Sequence, residues 1–576
     1  MNLLPFGKLP AHRERTFVPN DADLGNWPSV APLFDLLEKE LIACASSADL
    51  ESWVVRSGEL FAALDEESTR RYIAMTCHTD NADAEKAYLE FVEGMEPEIK
   101  SRQFQLAKIY VEHACRADLP SERYAVFDRD MAVTVELFRE ENVPLETEES
   151  KLGQQYQKLS GSLTVTFRGE EKTLVQMGRY LEETDRDTRE EAWKLVSERR
   201  LQEREKFEDL FDQMLTLRRK MAANAGFKNY RDYTFRRLGR FDYTPEDCER
   251  FHTAVEREVV PAVAELQARR REQLGLETLR PWDLSVDPLN RSPLRPFEKV
   301  DQMVERTQRI FDHLDAELAG GFRRMQELKL LDLDNRKGKA PGGYQSTLNE
   351  ARLPFIFMNS VGLQRDVETM LHEAGHAFHA LATAEEDVYP YRHAPMEFCE
   401  VASMSMELLG NEFLEEFYAP AEADRARRVH LEGILSVFTW IATVDAFQHW
   451  IYTHPDHDRA GRSAAWMDLM NRFGAGVDWS GFESSRENLW HRQLHIFLCP
   501  FYYIEYGIAQ LGALQVWANS RHDRAKAMRD YKASLALGGS RPLPDLFVAA
   551  GCRFQFDAEI FKPLVELVKN ELNRLN

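Results

Sequence analysis

The chain has 576 residues, 44% hydrophobic and 11% aromatic, with 73 Lys and Arg against 96 Asp and Glu for a formal net charge of −23. That composition supports large packed cores and excludes a disordered or fibrous chain. The acidic balance argues against nucleic acid or an anionic lipid surface as partner, and otherwise describes a well-solvated surface.

Apolar residues recur at helical spacing along most of the sequence, so the expected fold class is mainly α. The first 150 residues read as successive helices, among them "SVAPLFDLLEKELIACASS" and "EKAYLEFVEGMEPEIKSRQFQLAKIYVEHAC". A β-hairpin is expected near 162–176, where Leu163, Val165 and Phe167 alternate with polar residues and Gly169 marks the turn. Helix resumes in "TDRDTREEAWKLVSERR" behind an acidic capping cluster. Another start is marked by Thr244 as cap, Pro245 as first helical residue and Asp247 three beyond the cap. Residues 278–297 are proline-rich and read as a loop. Gly338, Pro341, Gly342 and Gly343 form a second loop, followed by the strand candidate "LPFIFMN" and then a helix over 367–382. The expected organisation is an N-terminal helical region, 1–185, carrying the hairpin, and a second domain over 186–576.

Seven cysteines stand singly with no CxxC pair, which fits reduced thiols in a cytoplasmic protein. Cys399 and Cys499 read either as oxidation sensors or as inert thiols. The first residues, "MNLLPFGKLPAHRERTF", lack the apolar core of a signal peptide. The longest apolar run, Gly433 to Val444, stops at Asp445 and is too short to span a bilayer. The expectation is a soluble cytoplasmic protein with no membrane partner.

"VETMLHEAGHAFHALA" interrupts an apolar helix with His372, Glu373 and His376 in HExxH spacing. Two histidines at i and i+4 share a helix face and can share one zinc ion, with Glu373 beside the water that the ion acidifies. Such a glutamate takes the water's proton and returns it to the leaving amine. A bare HExxH also arises by chance, so a third ligand is required. The helix "PMEFCEVASMSMELLG" offers Glu397, Glu400 and Glu407. Glu400, flanked by Phe398, Val401 and Met404, is the expected ligand, because a buried carboxylate needs a cation. Ser403 and Glu407 are either partners that orient the ligands or ordinary helix polarity. His379 reads as packing or support, not as a ligand. For an oxyanion donor, "LHIFLCPFYYIEYGIAQLGALQVW" offers His495, Tyr502, Tyr503 and Tyr506, which read equally as an aromatic core stripe.

"HEAGHAFH", "EFCEVAS" and "HIFLCPFYYIEYG" together resemble the thimet oligopeptidase and oligoendopeptidase F family of zinc metallopeptidases, more closely the oligoendopeptidase F branch. The resemblance extends to "RRKMAANAGFKNYRDY", the "KGKAPGGY" loop and "YKASLALGGSRPLPDLF", covering about residues 190–560. It implies a two-lobed helical zincin-like body with a deep central channel that admits short unstructured peptides, and a small β-sheet beside the active-site helix. It implies one Zn2+ per chain on His372, His376 and Glu400, with Glu373 as general base and His495 and Tyr506 stabilising the oxyanion. Tyr502, Tyr503, Gly343 and Tyr344 would hold the substrate, with "LPFIFMN" as the peptide-pairing edge strand. The thimet branch carries a glycine-rich loop with an extra tyrosine where this chain reads "IFLCPF", so the roles of Tyr502, Tyr503 and Tyr506 stay open among them. The expected activity is endopeptidase cleavage of oligopeptides. The alternatives are a helical zinc carboxypeptidase or dipeptidase, a non-catalytic peptide-binding protein, and a metal-free helical scaffold.

Overall fold

A computed structural model describes residues 3–336, 338–340 and 342–575. Pro341, expected in the glycine-rich loop, lies outside the described residues. The fold is mainly helical with two small sheets.

The chain divides into two compact units, each assembled from three segments. The first contains Met1–Phe138, Arg295–Ala423 and Gly512–Phe554; the second contains Arg139–Leu294, Asp424–Leu511 and Gln555–Asn576. In the second unit, β1 (Thr164–Phe167) and β2 (Glu170–Thr173) form an antiparallel hairpin. Its turn residues, Arg168 and Gly169, both have positive φ, 53° and 83°. That is the twist-matched geometry of a two-residue hairpin loop, and glycine adopts it at no steric cost. The helix Pro245–Ala254 begins with a complete capping box between Thr244 and Asp247.

In the first unit the sheet order is β3 (Leu331–Asp334), β5 (Leu353–Ser360), β4 (Tyr344–Leu348). β5 pairs parallel to β3 and antiparallel to β4, so both of its flanks are taken. The expectation that "LPFIFMN" is itself the edge strand is therefore corrected. Its unbroken apolar run is the signature of a strand covered on both faces, and all but one of its residues are buried. The outer strands are β3 and β4.

Lys339 anchors the loop between β3 and β4. Its ammonium is fully buried and donates to Asp332 Oδ1 and Asp332 O at 3.0 Å, to Asp334 O at 2.9 Å and to Met358 O. An unpaired buried ammonium would be costly, but here one lysine ties the ends of β3 and β5 to the loop that leads into β4.

The helix Pro420–Thr453 is long and apolar enough to cross a membrane by length and composition alone, yet most of its apolar stretch is buried inside the protein. A buried core helix has the same length and composition.

Candidate metal centre

The HExxH residues lie on the helix Gln364–Ala382, and Glu400 lies on the helix Met396–Gly410. Gly375 lets the two helices approach. A Cβ at that position would sit 2.6 Å from Ser403 Cα and 2.7 Å from Ala402 O, closer than packed atoms allow. Every other residue type would push the glutamate helix away from the histidines.

Across this contact the candidate ligand atoms converge. His372 Nε2 is 3.3 Å from His376 Nε2 and 3.4 Å from Glu400 Oε2, and His376 Nε2 is 3.6 Å from Glu400 Oε2. Ligands about 2.0–2.1 Å from a tetrahedral zinc stand about 3.3–3.4 Å from one another, so the three donors match one face of such a site. The Glu400 side chain is only 4% exposed, whereas His372 and His376 remain 22% and 17% exposed. One side of the centre is therefore accessible, as an open coordination position requires.

The supporting contacts fix which atoms face inward. His372 Nδ1 lies 2.6 Å from Glu407 Oε1, and a carboxylate only accepts, so Nδ1 carries a proton and Nε2 is the nitrogen turned toward Glu400 and His376. Ser403 Oγ donates to Glu400 Oε2 at 2.9 Å. Burial opposes charge on His372, but Glu400 and Glu407 outweigh it and hold the imidazole well above its ordinary value. On binding there, a metal would displace a proton from Nε2. Burial pulls His376 down to about 4, keeping it the neutral imidazole that a metal needs. On this geometry Glu407→Ala is expected to weaken metal binding about 10- to 100-fold without removing a ligand, measured by titration against a competing chelator.

Glu373 is buried, and burial pushes its carboxyl up to about 7. Its neighbour is the sheet, where the backbone N–H of Gln345 in β4 acts against that rise by favouring the charged carboxylate. The edge strand and the acid–base candidate are thus in direct contact. No sequence pattern announces this, because it depends on the register that places Gln345 opposite Ile356. Gly343, just ahead of β4, is closely packed: a Cβ there would lie 3.3 Å from Phe357 O. The Tyr344 hydroxyl is 2.6 Å from Thr76 Oγ1, and its ring stacks on Phe357 at 4.7 Å. The side chain of Tyr344 thus packs within the first unit. His379 is buried against Phe398 and burial lowers it to about 3, a neutral packing histidine.

His495, Tyr502, Tyr503 and Tyr506 come together in the second unit. The His495 ring centroid lies 5.6, 5.0 and 5.7 Å from those of Tyr502, Tyr503 and Tyr506. All four are half-buried, whereas Ile504 and Glu505 between them are buried. An aromatic core stripe would show the reverse. The turn that sets this cluster is over-determined. Phe501 adopts φ 67°, a conformation that costs a non-glycine residue about 1–3 kcal/mol. Its N–H donates to Gln448 Oε1 at 2.8 Å, and its carbonyl accepts from Arg240, which also pairs with Glu505 at 2.8 Å. Arg218, fully buried, donates to the carbonyls of Ile496 and Phe497.

Among the described residues, one other group could chelate a metal: Cys248, Asp445 and His449, all buried. His252 Nε2 already lies 2.8 Å from Asp445 Oδ2, so the carboxylate has a partner and the group has no accessible side for substrate. It joins the helices Pro245–Ala254 and Pro420–Thr453 within the second unit.

The model of peptidase family M3 matches residues 179–565. The chain is 23% identical over 312 residues to an oligoendopeptidase F homolog of Lactococcus lactis and 21% identical over 303 residues to one of Borreliella burgdorferi. These matches cover 53% and 50% of this chain, and the chain spans about half the length of the relatives, 50% and 49%. Among solved structures, PZ peptidase A with inhibitor 2 superposes with a TM-score of 0.90 at 28% identity, over 97% of this chain and 99% of the other. The protein belongs to peptidase family M3, on its oligoendopeptidase F branch.

Proposed function

We propose that this protein is a zinc endopeptidase that cleaves internal bonds of short, unstructured oligopeptides. The observation that carries the proposal is the convergence of His372 Nε2, His376 Nε2 and Glu400 Oε2 at tetrahedral-edge distances, beside a buried glutamate. These three residues would hold one ion per chain. When bound, a zinc ion there would polarise the scissile carbonyl and make a neighbouring water acidic.

The remaining work falls to the chain. The Glu373 carboxylate accepts a proton from the attacking water and delivers it to the leaving amine nitrogen. Gln345 N–H steadies that carboxylate, and Glu407 and Ser403 hold the ligands in orientation. An extended peptide pairs with β4, the outer strand beside Glu373, by β-augmentation. That mode favours unfolded substrates, because a folded one has no free strand to offer.

In this proposal Tyr506 and His495 donate to the oxyanion, while Tyr502 and Tyr503 contact the substrate. The resemblance supports these roles, as does the accessibility of the cluster. Tyr506→Phe is expected to lower kcat about 10²- to 10³-fold with little change in KM, the pattern of a contact made in the transition state. Steady-state kinetics on a quenched fluorescent peptide checks this. An unchanged kcat would move the role to Tyr502 or Tyr503.

A further inference from the structure

We infer that Gln493 is a positioning residue that sets the tautomer of His495, so that the imidazole presents Nε2–H as a hydrogen-bond donor. The inference deepens the proposed function and rests on its assignment of His495 to the oxyanion.

A neutral histidine carries one ring proton, and the partner of one nitrogen decides which nitrogen holds it. Gln493 Nε2 lies 2.8 Å from His495 Nδ1. A glutamine amide could present either its nitrogen or its oxygen there, and the two choices impose opposite tautomers. Trp440 removes the ambiguity. Its indole nitrogen can only donate, and it lies 2.9 Å from Gln493 Oε1. The oxygen of Gln493 is therefore the end that accepts from Trp440, and its NH2 is the end that faces His495. Nδ1 must accept, so the proton sits on Nε2.

The relay is built from one segment of the second unit. Trp440 projects from the helix Pro420–Thr453, and Gln493 lies directly before the short helix Leu494–Leu498 that bears His495. Tyr503 lies beside both Trp440 and Gln493, and its ring centroid is 5.0 Å from that of His495, which sets the same amide next to the tyrosine cluster. An Nε2–H tautomer can stabilise developing negative charge; an Nδ1–H tautomer would point a lone pair at it.

The test compares two substitutions. Gln493→Glu is nearly isosteric but can only accept, so it draws the neutral ring's proton to Nδ1. Gln493→Met removes the partner and leaves both tautomers available. Nitrogen-15 NMR of histidine-labelled protein is expected to show the Nε2–H form of His495 in the wild type and the Nδ1–H form in Gln493→Glu. The His495 resonance is identified by its absence in His495→Ala.

In steady-state kinetics above the titration of the variant's imidazole, Gln493→Glu is expected to lose about 10- to 100-fold in kcat, approaching His495→Ala. Gln493→Met is expected to lose less. A purely structural role predicts the opposite order, with the isostere closer to wild type. The Nδ1–H tautomer in the wild type, or Gln493→Glu retaining more kcat than Gln493→Met, overturns the inference. An unchanged kcat in His495→Ala instead overturns the oxyanion role on which it rests, whatever tautomer the spectrum shows.

Discussion

Glu373→Gln is expected to retain its metal and lose about 10²- to 10⁴-fold in kcat, the range that a positioned general base contributes. The substitution keeps the shape of the side chain and removes its capacity to take a proton. Its amide would still sit against the Gln345 N–H, at the cost of that contact's charge-assisted character. Because Glu373 is buried, and burial already disfavours its charged form, the neutral amide is not expected to destabilise the fold. The ligand atoms of His372, His376 and Glu400 are untouched, so metal content separates loss of chemistry from loss of the site. Elemental analysis alongside kinetics makes the comparison. A variant with full activity sinks the proposed acid–base role, and one that loses its metal moves Glu373 into the coordination set.

His376→Ala is expected to reduce bound metal to less than about 0.1 ion per chain and to abolish cleavage, because two donors do not form a closed structural or catalytic zinc set. The effect reaches the fold as well. Glu400 has a side chain only 4% exposed and sits against both histidines. The substitution takes from that carboxylate both the His376 imidazole and the ion, and breaking up a buried charged group by removing one partner costs about 3–5 kcal/mol. The midpoint of thermal unfolding should therefore fall, and added zinc should not restore it. Wild-type protein stripped by a chelator should lose activity equally but recover both activity and midpoint when zinc returns. Normal metal content and turnover in His376→Ala would contradict the ligand assignment.

The centre was legible in the sequence where its parts lie on helices. His372, Glu373 and His376 follow from helical periodicity, and Glu400 was recognisable as a carboxylate among apolar neighbours on the next helix. Glu407, two turns further along, fell on the same face as Glu400 and reaches His372. What was not legible depends on contacts between strands and loops. The expected edge strand is central, although its uninterrupted apolar run already carried that information. Lys339, in a glycine-rich loop, reads as a solvated lysine but is buried among carbonyls of two strands, because only the parallel pairing of β3 and β5 brings those acceptors together. The left-handed turn at Phe501 has no glycine or asparagine to mark it. It is enforced by Gln448 and Arg240, from elements distant in sequence. Gln493 carries no motif, since its role rests on which end of an amide faces a tryptophan.

The most direct test of the whole account is mass spectrometry of an unstructured peptide blocked at both termini, after incubation with the protein and in parallel with a chelator-treated sample restored with zinc. The account predicts cleavage at internal bonds, abolished by the chelator and recovered with zinc. An intact blocked peptide, or internal cleavage that persists without metal, would contradict it.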